Sequence, residues 1–222
     1  MCGICGQLRF DNKPVQSGAL STMMSKIARR GPDASGQWSD GSIGFGHQRL
    51  SIIDLSNYAA QPMKDEALDL VLVFNGTIYN YQSLRQDLTK QGYSFFSHSD
   101  TEVIIKAYHF WGEDCVTHLD GMFAFCIWNQ KNNQLFVARD RMGIKPLYFN
   151  MTDQVFSFAS NTQALVAIGV NSSINSVALQ QQLSLHGVVP APNTILNGVN
   201  KIKPATTLTI DAKGKVVEKT YW

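Results

Sequence analysis

Residues 122–139 read Met122-Phe123-Ala124-Phe125-Cys126-Ile127-Trp128-Asn129-Gln130-Lys131-Asn132-Asn133-Gln134-Leu135-Phe136-Val137-Ala138-Arg139. Two runs rich in apolar and aromatic side chains, Met122–Trp128 and Gln134–Arg139, flank a polar link that closes on Asn132-Asn133. That pattern predicts two neighbouring strands paired in a hairpin. Upstream, Leu70-Val71-Leu72-Val73-Phe74 is a strand apolar on both faces, expected to end at Asn75-Gly76. Further strands are predicted at Gly6–Phe10, Gly36–Trp38, Ile43–His47 and Val155–Ala159, with a closing hairpin from Thr206–Asp211 and Lys215–Thr220.

Helices fall between these pairs. Ser17–Ala28 has Ala19, Leu20, Met23, Met24 and Ile27 at helical spacing, and Pro32 stops the chain from continuing it. Tyr81–Lys90 is a helix stopped by Gly92. Ser99-Asp100-Thr101-Glu102 matches a capping box, which predicts a helix over 100–110. Shorter helices are expected at Thr162–Ala167 and Val177–Leu185. Strands in hairpin-like pairs, rather than in strict alternation with helices, predict an α+β fold of antiparallel sheets between helices and not a doubly wound parallel sheet. The stretch from about residue 170 is the least regular and reads as an appendage.

The bulk numbers are those of an ordinary globular chain: 222 residues, 44% hydrophobic, 16% charged, formal charge +2. Near-neutral charge and the absence of a Lys/Arg run argue against a nucleic-acid surface or a polybasic membrane patch. No stretch approaches the ~18 apolar residues of a membrane span, and the N-terminus lacks a signal pattern, so a cytoplasmic location is expected. Cys115, in a predicted helix, and Cys126, in an apolar run, read as buried thiols.

The first residues, Met1-Cys2-Gly3-Ile4-Cys5-Gly6, are different. Initiator Met is usually removed ahead of a small residue, which would leave Cys2 with a thiol and a free α-amine. That amine titrates near ~7.7–8.0, so it is a suitable base for a thiol at neutral pH, and no histidine is needed. Position alone would favour a Cys of no consequence. A Cys2–Cys5 redox pair is disfavoured, because residues three apart in an extended segment point to opposite faces. A zinc site lacks two further ligands at matching spacing.

The downstream motifs decide between these readings. Arg30-Gly31-Pro32-Asp33, Gly46-His47-Gln48-Arg49-Leu50-Ser51-Ile52-Ile53-Asp54, Gln61-Pro62-Met63, Asn75-Gly76-Thr77-Ile78-Tyr79-Asn80, Ser99-Asp100-Thr101-Glu102-Val103, Gly121-Met122-Phe123-Ala124-Phe125 and Arg139–Tyr148 follow the N-terminal Cys2 in order. Together they resemble the glutaminase domain of the asparagine synthetase family, the class II glutamine amidotransferases with an N-terminal nucleophile. The resemblance implies a four-layer αββα sandwich of two antiparallel sheets. It covers residues 1–170 as a type 2 glutamine amidotransferase domain. Residues 171–222 are expected to extend that domain toward a synthetase domain absent from this chain, which reads as a fragment of a longer parent.

The resemblance also implies roles. Cys2 is the nucleophile, and Asn75 with Gly76 forms an oxyanion hole; read alone, Asn75-Gly76 would be a plain turn. Arg49 clamps the carboxylate of glutamine, where a guanidinium binds both oxygens. Leu50 and Ile52 line the side-chain amide with their backbone. Asp100 holds the α-ammonium. Arg30 supports the surroundings of the nucleophile, while Arg139 and Asp140 hold the fold or an interdomain face. Thr77 stands where most of the family has Glu, so Asp100 would hold the ammonium alone. Thr77, the Phe95–His98 segment and Ser184–Leu196 look closest to the N-acetylglutaminylglutamine amidotransferase branch.

The expected reaction is hydrolysis of L-glutamine to glutamate and ammonia, with the ammonia passed to an ATP-dependent, amide-forming synthetase domain. No metal or cofactor is expected in this domain, ATP and Mg belonging to the synthetase half. The partners expected are L-glutamine, that C-terminal synthetase domain and a second copy in a homodimer, with no nucleic acid and no membrane. Two rival readings are a glutamine-binding domain with little turnover and a docking domain for the synthetase half.

Overall fold

The computed structural model describes residues 1–222, apart from the side chain of Ser17. In chain order the elements are β1 (Gly3–Arg9), α1 (Ser17–Ile27), β2 (Ala34–Asp40), β3 (Ile43–Arg49), β4 (Met63–Asp65), β5 (Leu70–Ile78), α2 (Tyr81–Lys90), α3 (Asp100–Trp111), α4 (Cys115–His118), β6 (Gly121–Asn129), β7 (Gln134–Arg139), β8 (Tyr148–Met151), β9 (Val155–Ala159), α5 (Thr162–Val166), α6 (Ser176–Ser184), β10 (Asn200–Lys201), β11 (Thr206–Asp211) and β12 (Val216–Thr220). The strands form two six-stranded antiparallel sheets, ordered β10-β8-β9-β1-β3-β2 and β12-β11-β7-β6-β5-β4.

Residues 122–139 and their neighbours in β5 explain the layering. On β6, Ala124, Cys126 and Trp128 face the other sheet, together with Val71 and Val73 of β5 and Leu135 and Val137 of β7. The alternate residues Phe123, Phe125 and Ile127, with Leu70, Leu72, Phe74 and Phe136, face α2 and α3. A strand reads as apolar on both faces because it lies in an inner layer, covered by a sheet on one side and helices on the other. In the first sheet, Ile4, Leu8, Phe45, Phe156 and Phe158 fill the space between the sheets. Its outer face packs Cys5 and Ala159 against Met23, Met24 and Ile27 of α1 and Ala164 and Leu165 of α5. The result is the expected four layers, helix–sheet–sheet–helix.

α1 can lie so close to β3 because the strand is thinned by glycine. A Cβ on Gly46 would stand 2.8 Å from the Met24 sulfur and 2.9 Å from that of Cys5. Gly44 and Gly46 therefore serve packing, whereas Gly41, with open space around it and φ at 53°, serves the turn between β2 and β3.

Three local expectations are corrected. β5 does not end at Asn75-Gly76: it runs on to Ile78, with Asn75 opposite Ala124 and Gly76 opposite Phe123. The capping box is half made, because Ser99 Oγ accepts from Thr101 N at 3.1 Å while Glu102 reaches past Ser99 to the N–H groups of Phe96 and Ser97 at 2.9 and 2.7 Å. The stretch after 170 is also no uniform appendage. α6 buries only Ala178, whereas Val199, Ile202, Leu208 and Ile210 enter the cores and β11 pairs with β7.

Candidate active site

The two inner sheets leave an open cavity of about 190 Å³ where β1 begins and β3 and β5 end. Cys2, Arg49, Leu50, Ile52, Asn75, Gly76, Thr77 and Asp100 all line it. Eight residues spread over 99 positions of sequence are thus gathered by the pairing of β1 with β3 and by the stacking of β3 on β5. The strand phase supplies the reason: Cys2 shares the inward parity of Ile4 and Leu8, while Cys5 faces α1. All four cysteines are free thiols.

The Cys2 thiol is half-buried and sits against the start of the 50–56 loop. Sγ donates to Leu50 O at 3.6 Å and accepts from Leu50 N at 3.4 Å. Arg30 Nε donates to Cys2 O at 3.0 Å, which fixes the segment that carries the thiol. Burial pushes the thiol up from its ordinary value, and the Leu50 N–H, the N-terminal amine and Arg49 oppose that, while Asp100 adds to it.

Arg49 ends β3 and is 8% exposed. Its Nη1 donates to Ser56 O at 3.0 Å and its Nη2 to Asp54 O, so the loop curls around the guanidinium. Asp54 locks that curl by accepting from Ser56 N and His98 N, both at 2.8 Å. None of the protein's ion pairs among the described residues uses Arg49, Asp100 or Lys145. A buried guanidinium held by carbonyls alone keeps its full charge available for a carboxylate ligand.

β5 supplies the hydrogen-bond donors. β4 pairs only with Leu70–Leu72, so beyond Leu72 that edge of β5 is open. Phe74 N donates there to Gln61 Oε1 at 2.6 Å, and Ile78 N to Asp100 Oδ2 at 3.0 Å. Alternate N–H groups of a strand point the same way, so the N–H of Gly76, midway between them, faces the same open edge and the cavity. A side chain at Gly76 would collide with the Met122 carbonyl across the pair. Asn75 is 1% exposed, and neither its Nδ2 nor its Oδ1 has a partner among the described residues. A buried amide with both ends unsatisfied costs stability, which makes Asn75 a candidate for contact with a ligand.

Asp100 opens α3, capped by Ser99, and its carboxylate also accepts from Ser99 Oγ at 3.3 Å. Burial pushes the carboxyl up, against the Ile78 N–H that favours the charged form. Thr77 lines the cavity without charge.

Gln61, Asp54 and Lys145 lie within the sequence motifs, but nothing in the sequence assigns them a task. Gln61 completes the open edge of β5 and donates to Thr101 Oγ1 at 3.3 Å, and Lys145 lines the cavity beside Cys2. Their roles depend on tertiary position, and only membership in a motif could have flagged them. Arg139 and Asp140 bind the 140–146 loop. Asp140 accepts from Phe123 N, Met142 N, Ile144 N and Lys145 N at 2.8–3.2 Å, and Arg139 reaches Gly143 O, Lys145 O and Ile202 O.

His47 lies fully buried under the site, with Nε2 3.3 Å from Phe74 O and Nδ1 without a partner. Burial pushes it down to about 3 from the ordinary 6.5. Below pH 6.5 the unfolded chain takes up a proton that the native state refuses, so this stabilisation is complete above pH 6.5 and is lost on acidification. The loss amounts to about 2 kcal/mol by pH 5. Denaturant melts of the wild type and His47→Gln at pH 7 and pH 5 should show the acid-induced fall in the wild type shrinking by that amount in the variant.

Among the described residues no group of three His, Cys, Asp or Glu could hold a metal ion, and no helix is long and apolar enough to cross a membrane. Two solved structures share the fold. Glutamine phosphoribosylpyrophosphate amidotransferase from B. subtilis has a TM-score of 0.74 at 19% identity, over 100% of this chain and 49% of that one. A glutamine aminotransferase class-II domain protein from Silicibacter pomeroyi has 0.52 at 10%, over 99% and 98%. By sequence, asparagine synthetase [glutamine-hydrolyzing] 1 of Bacillus subtilis is 41% identical across all of this chain and 35% of its own length. The putative asparagine synthetase 2 of Methanocaldococcus jannaschii is 35% identical across 100% and 46%. The chain thus spans between a third and a half of these curated relatives. The family described as "Glutamine amidotransferase domain" matches residues 1–222. With a cavity lined by all eight residues expected from the motifs, a two-sheet sandwich around it and a family match from end to end, the chain belongs to the glutamine amidotransferase domain family.

Proposed function

We propose that this chain, once Met1 is removed, hydrolyses the side-chain amide of L-glutamine through a thioester on Cys2, releasing ammonia and glutamate. The observation that carries this reading is the charge pattern of one amino-acid-sized cavity. An unpaired guanidinium (Arg49) suits an α-carboxylate, an unpaired carboxylate (Asp100) suits an α-ammonium, and a thiol next to an unpartnered amide (Asn75) suits a carbonyl under attack.

The Cys2 α-amine takes the thiol proton, and the sulfur attacks the amide carbon. The oxygen takes up negative charge facing Asn75 Nδ2 and the Gly76 N–H. The C–N bond then breaks, and the leaving nitrogen takes the proton from the α-ammonium and departs as ammonia. Water, deprotonated by the same amine, hydrolyses the thioester. Cys2 O is tethered by Arg30 during these steps, and Arg49 is held by Asp54 and Ser56.

Ammonia release from L-glutamine by the processed chain is the direct test. In Arg49→Ala, KM should rise roughly 10–100-fold, the value of a charge-assisted hydrogen-bonded clamp, with kcat changed far less. An unchanged KM would show that the carboxylate of the substrate is not bound there.

The lengths of the curated relatives support a larger setting, in which the ammonia passes to an ATP- and Mg-dependent amide-forming domain of a longer parent. Uncharged Thr77 and the Ser184–Leu196 segment support an acceptor of the N-acetylglutaminylglutamine type. Amide formation by the parent protein with that dipeptide or with aspartate, each supplied with glutamine and ATP, separates the two acceptors.

A further inference from the structure

Lys145 is a cavity-lining cation with no task in the reaction above. It is 5% exposed. Its main chain belongs to the 140–146 loop, with N–H donating to Asp140 Oδ2 at 2.9 Å and carbonyl accepting from Arg139 Nε at 2.8 Å. Its side chain does not: among the described residues Nζ makes a single hydrogen bond, to Met1 Sδ at 3.3 Å. An ammonium has three donors, and a thioether is a weak acceptor, so the buried charge is poorly satisfied. That partner is the residue whose removal frees the Cys2 α-amine, the base for the nucleophile.

Resting on the Cys2 chemistry just described, we propose that Lys145 is a positioning residue for the nucleophile: its ammonium is a fixed positive charge that favours the Cys2 thiolate and disfavours protonation of the Cys2 α-amine. The other charges around Cys2 show why such a charge is required. Burial and Asp100, across the cavity on α3, both oppose thiolate formation, while Arg49 at the end of β3 favours it. Arg30, beside Cys2 O, faces both Cys2 and Tyr148 of β8. Lys145 itself is pushed down by burial and by Arg30, and is supported by Asp140 behind it and by Cys2. Cys2 and Lys145 are therefore each costly as isolated charges, and each lowers the cost of the other as a thiolate–ammonium pair.

The experiment measures the alkylation rate of Cys2 by iodoacetamide against pH, in the chain processed to begin at Cys2 and run to Trp222. Cys5, Cys115 and Cys126 are fully buried, so early modification reports Cys2. In Lys145→Gln and Lys145→Met the midpoint should move up by about one pH unit, a roughly tenfold slower reaction at pH 7, with the alkaline plateau kept. The acid limb of kcat/KM for ammonia release should move with it. Lys145→Arg should retain the wild-type midpoint. No group of the fold depends on Nζ, and Lys145→Met keeps the apolar stem, so the variants test charge rather than folding. Superimposable profiles, or a uniform drop at every pH with no shift, would overturn the proposal. If the wild-type chain releases no ammonia, the glutamine reading falls, while the alkylation midpoint still decides the role of Lys145.

Discussion

Cys2→Ala is expected to abolish ammonia release from glutamine, a loss on the order of 10⁴–10⁶ in kcat, and a chain that retains Met1 should be equally inactive. The first part follows from the removal of a covalent route: the remaining donors and the substrate clamp supply only the residual acceleration that binding and an oxyanion hole give alone. The second follows from peptide resonance. In the Met1-Cys2 bond the nitrogen is an amide with no basic lone pair, so the thiol loses its base. No histidine can substitute, since none lines the cavity and His47 beneath it is held neutral by burial. Met1 itself lines the cavity and engages Lys145, so its retention also fills space that a substrate needs. Intact mass separates the two forms, and trimming a retained Met1 with an aminopeptidase should restore turnover. Cys2→Ala should melt close to the wild type, because among the described residues the thiol makes only two long hydrogen bonds, both with Leu50. Full turnover by a chain that still carries Met1 would end the N-terminal mechanism.

How far the sequence carries can be seen in β5. Its first half, Leu70–Phe74, was legible because an inner-layer strand is apolar on both faces. Its second half was not, because Asn-Gly is a favoured turn pair and local propensity points to a bend. Tertiary pairing overrides that preference: Ala124 and Phe123 of β6 hold Asn75 and Gly76 extended, and Gly76 is required by the nearby Met122 carbonyl rather than by a turn. β4, β8 and β10 are two to four residues long and are fixed by their neighbours in the sheets, so no periodic signal announces them. At the cavity, Cys2, Arg49 and Asp100 could be named because their motifs carry a resemblance. Gln61 and Lys145 stood in motifs too, but their tasks appear only when β5 loses its strand partner and when the 140–146 loop turns its lysine toward Cys2. Strand pairing predicted antiparallel sheets between helices, and the resemblance implied the four layers; which atoms remain unpaired in the cavity is a property of the folded chain.

Asn75→Ala carries the other large effect, and its two readouts should not fall together. The tetrahedral oxygen would lose one of its donors, and such a loss typically lowers kcat by about 10²–10³, with KM little changed because the donor acts on charge that develops after binding. Stability should not fall in parallel. Asn75 is buried with both amide ends unpaired, so truncation removes a desolvation cost instead of a hydrogen bond. Against the small cavity left beside Gly76, the melting temperature should stay level or rise. A residue that destabilises the fold and accelerates the chemistry is what selection retains at a site and nowhere else. If Asn75→Ala keeps its kcat, or loses activity only together with a lowered Tm, then the orphaned amide is a packing defect and the oxyanion is stabilised elsewhere.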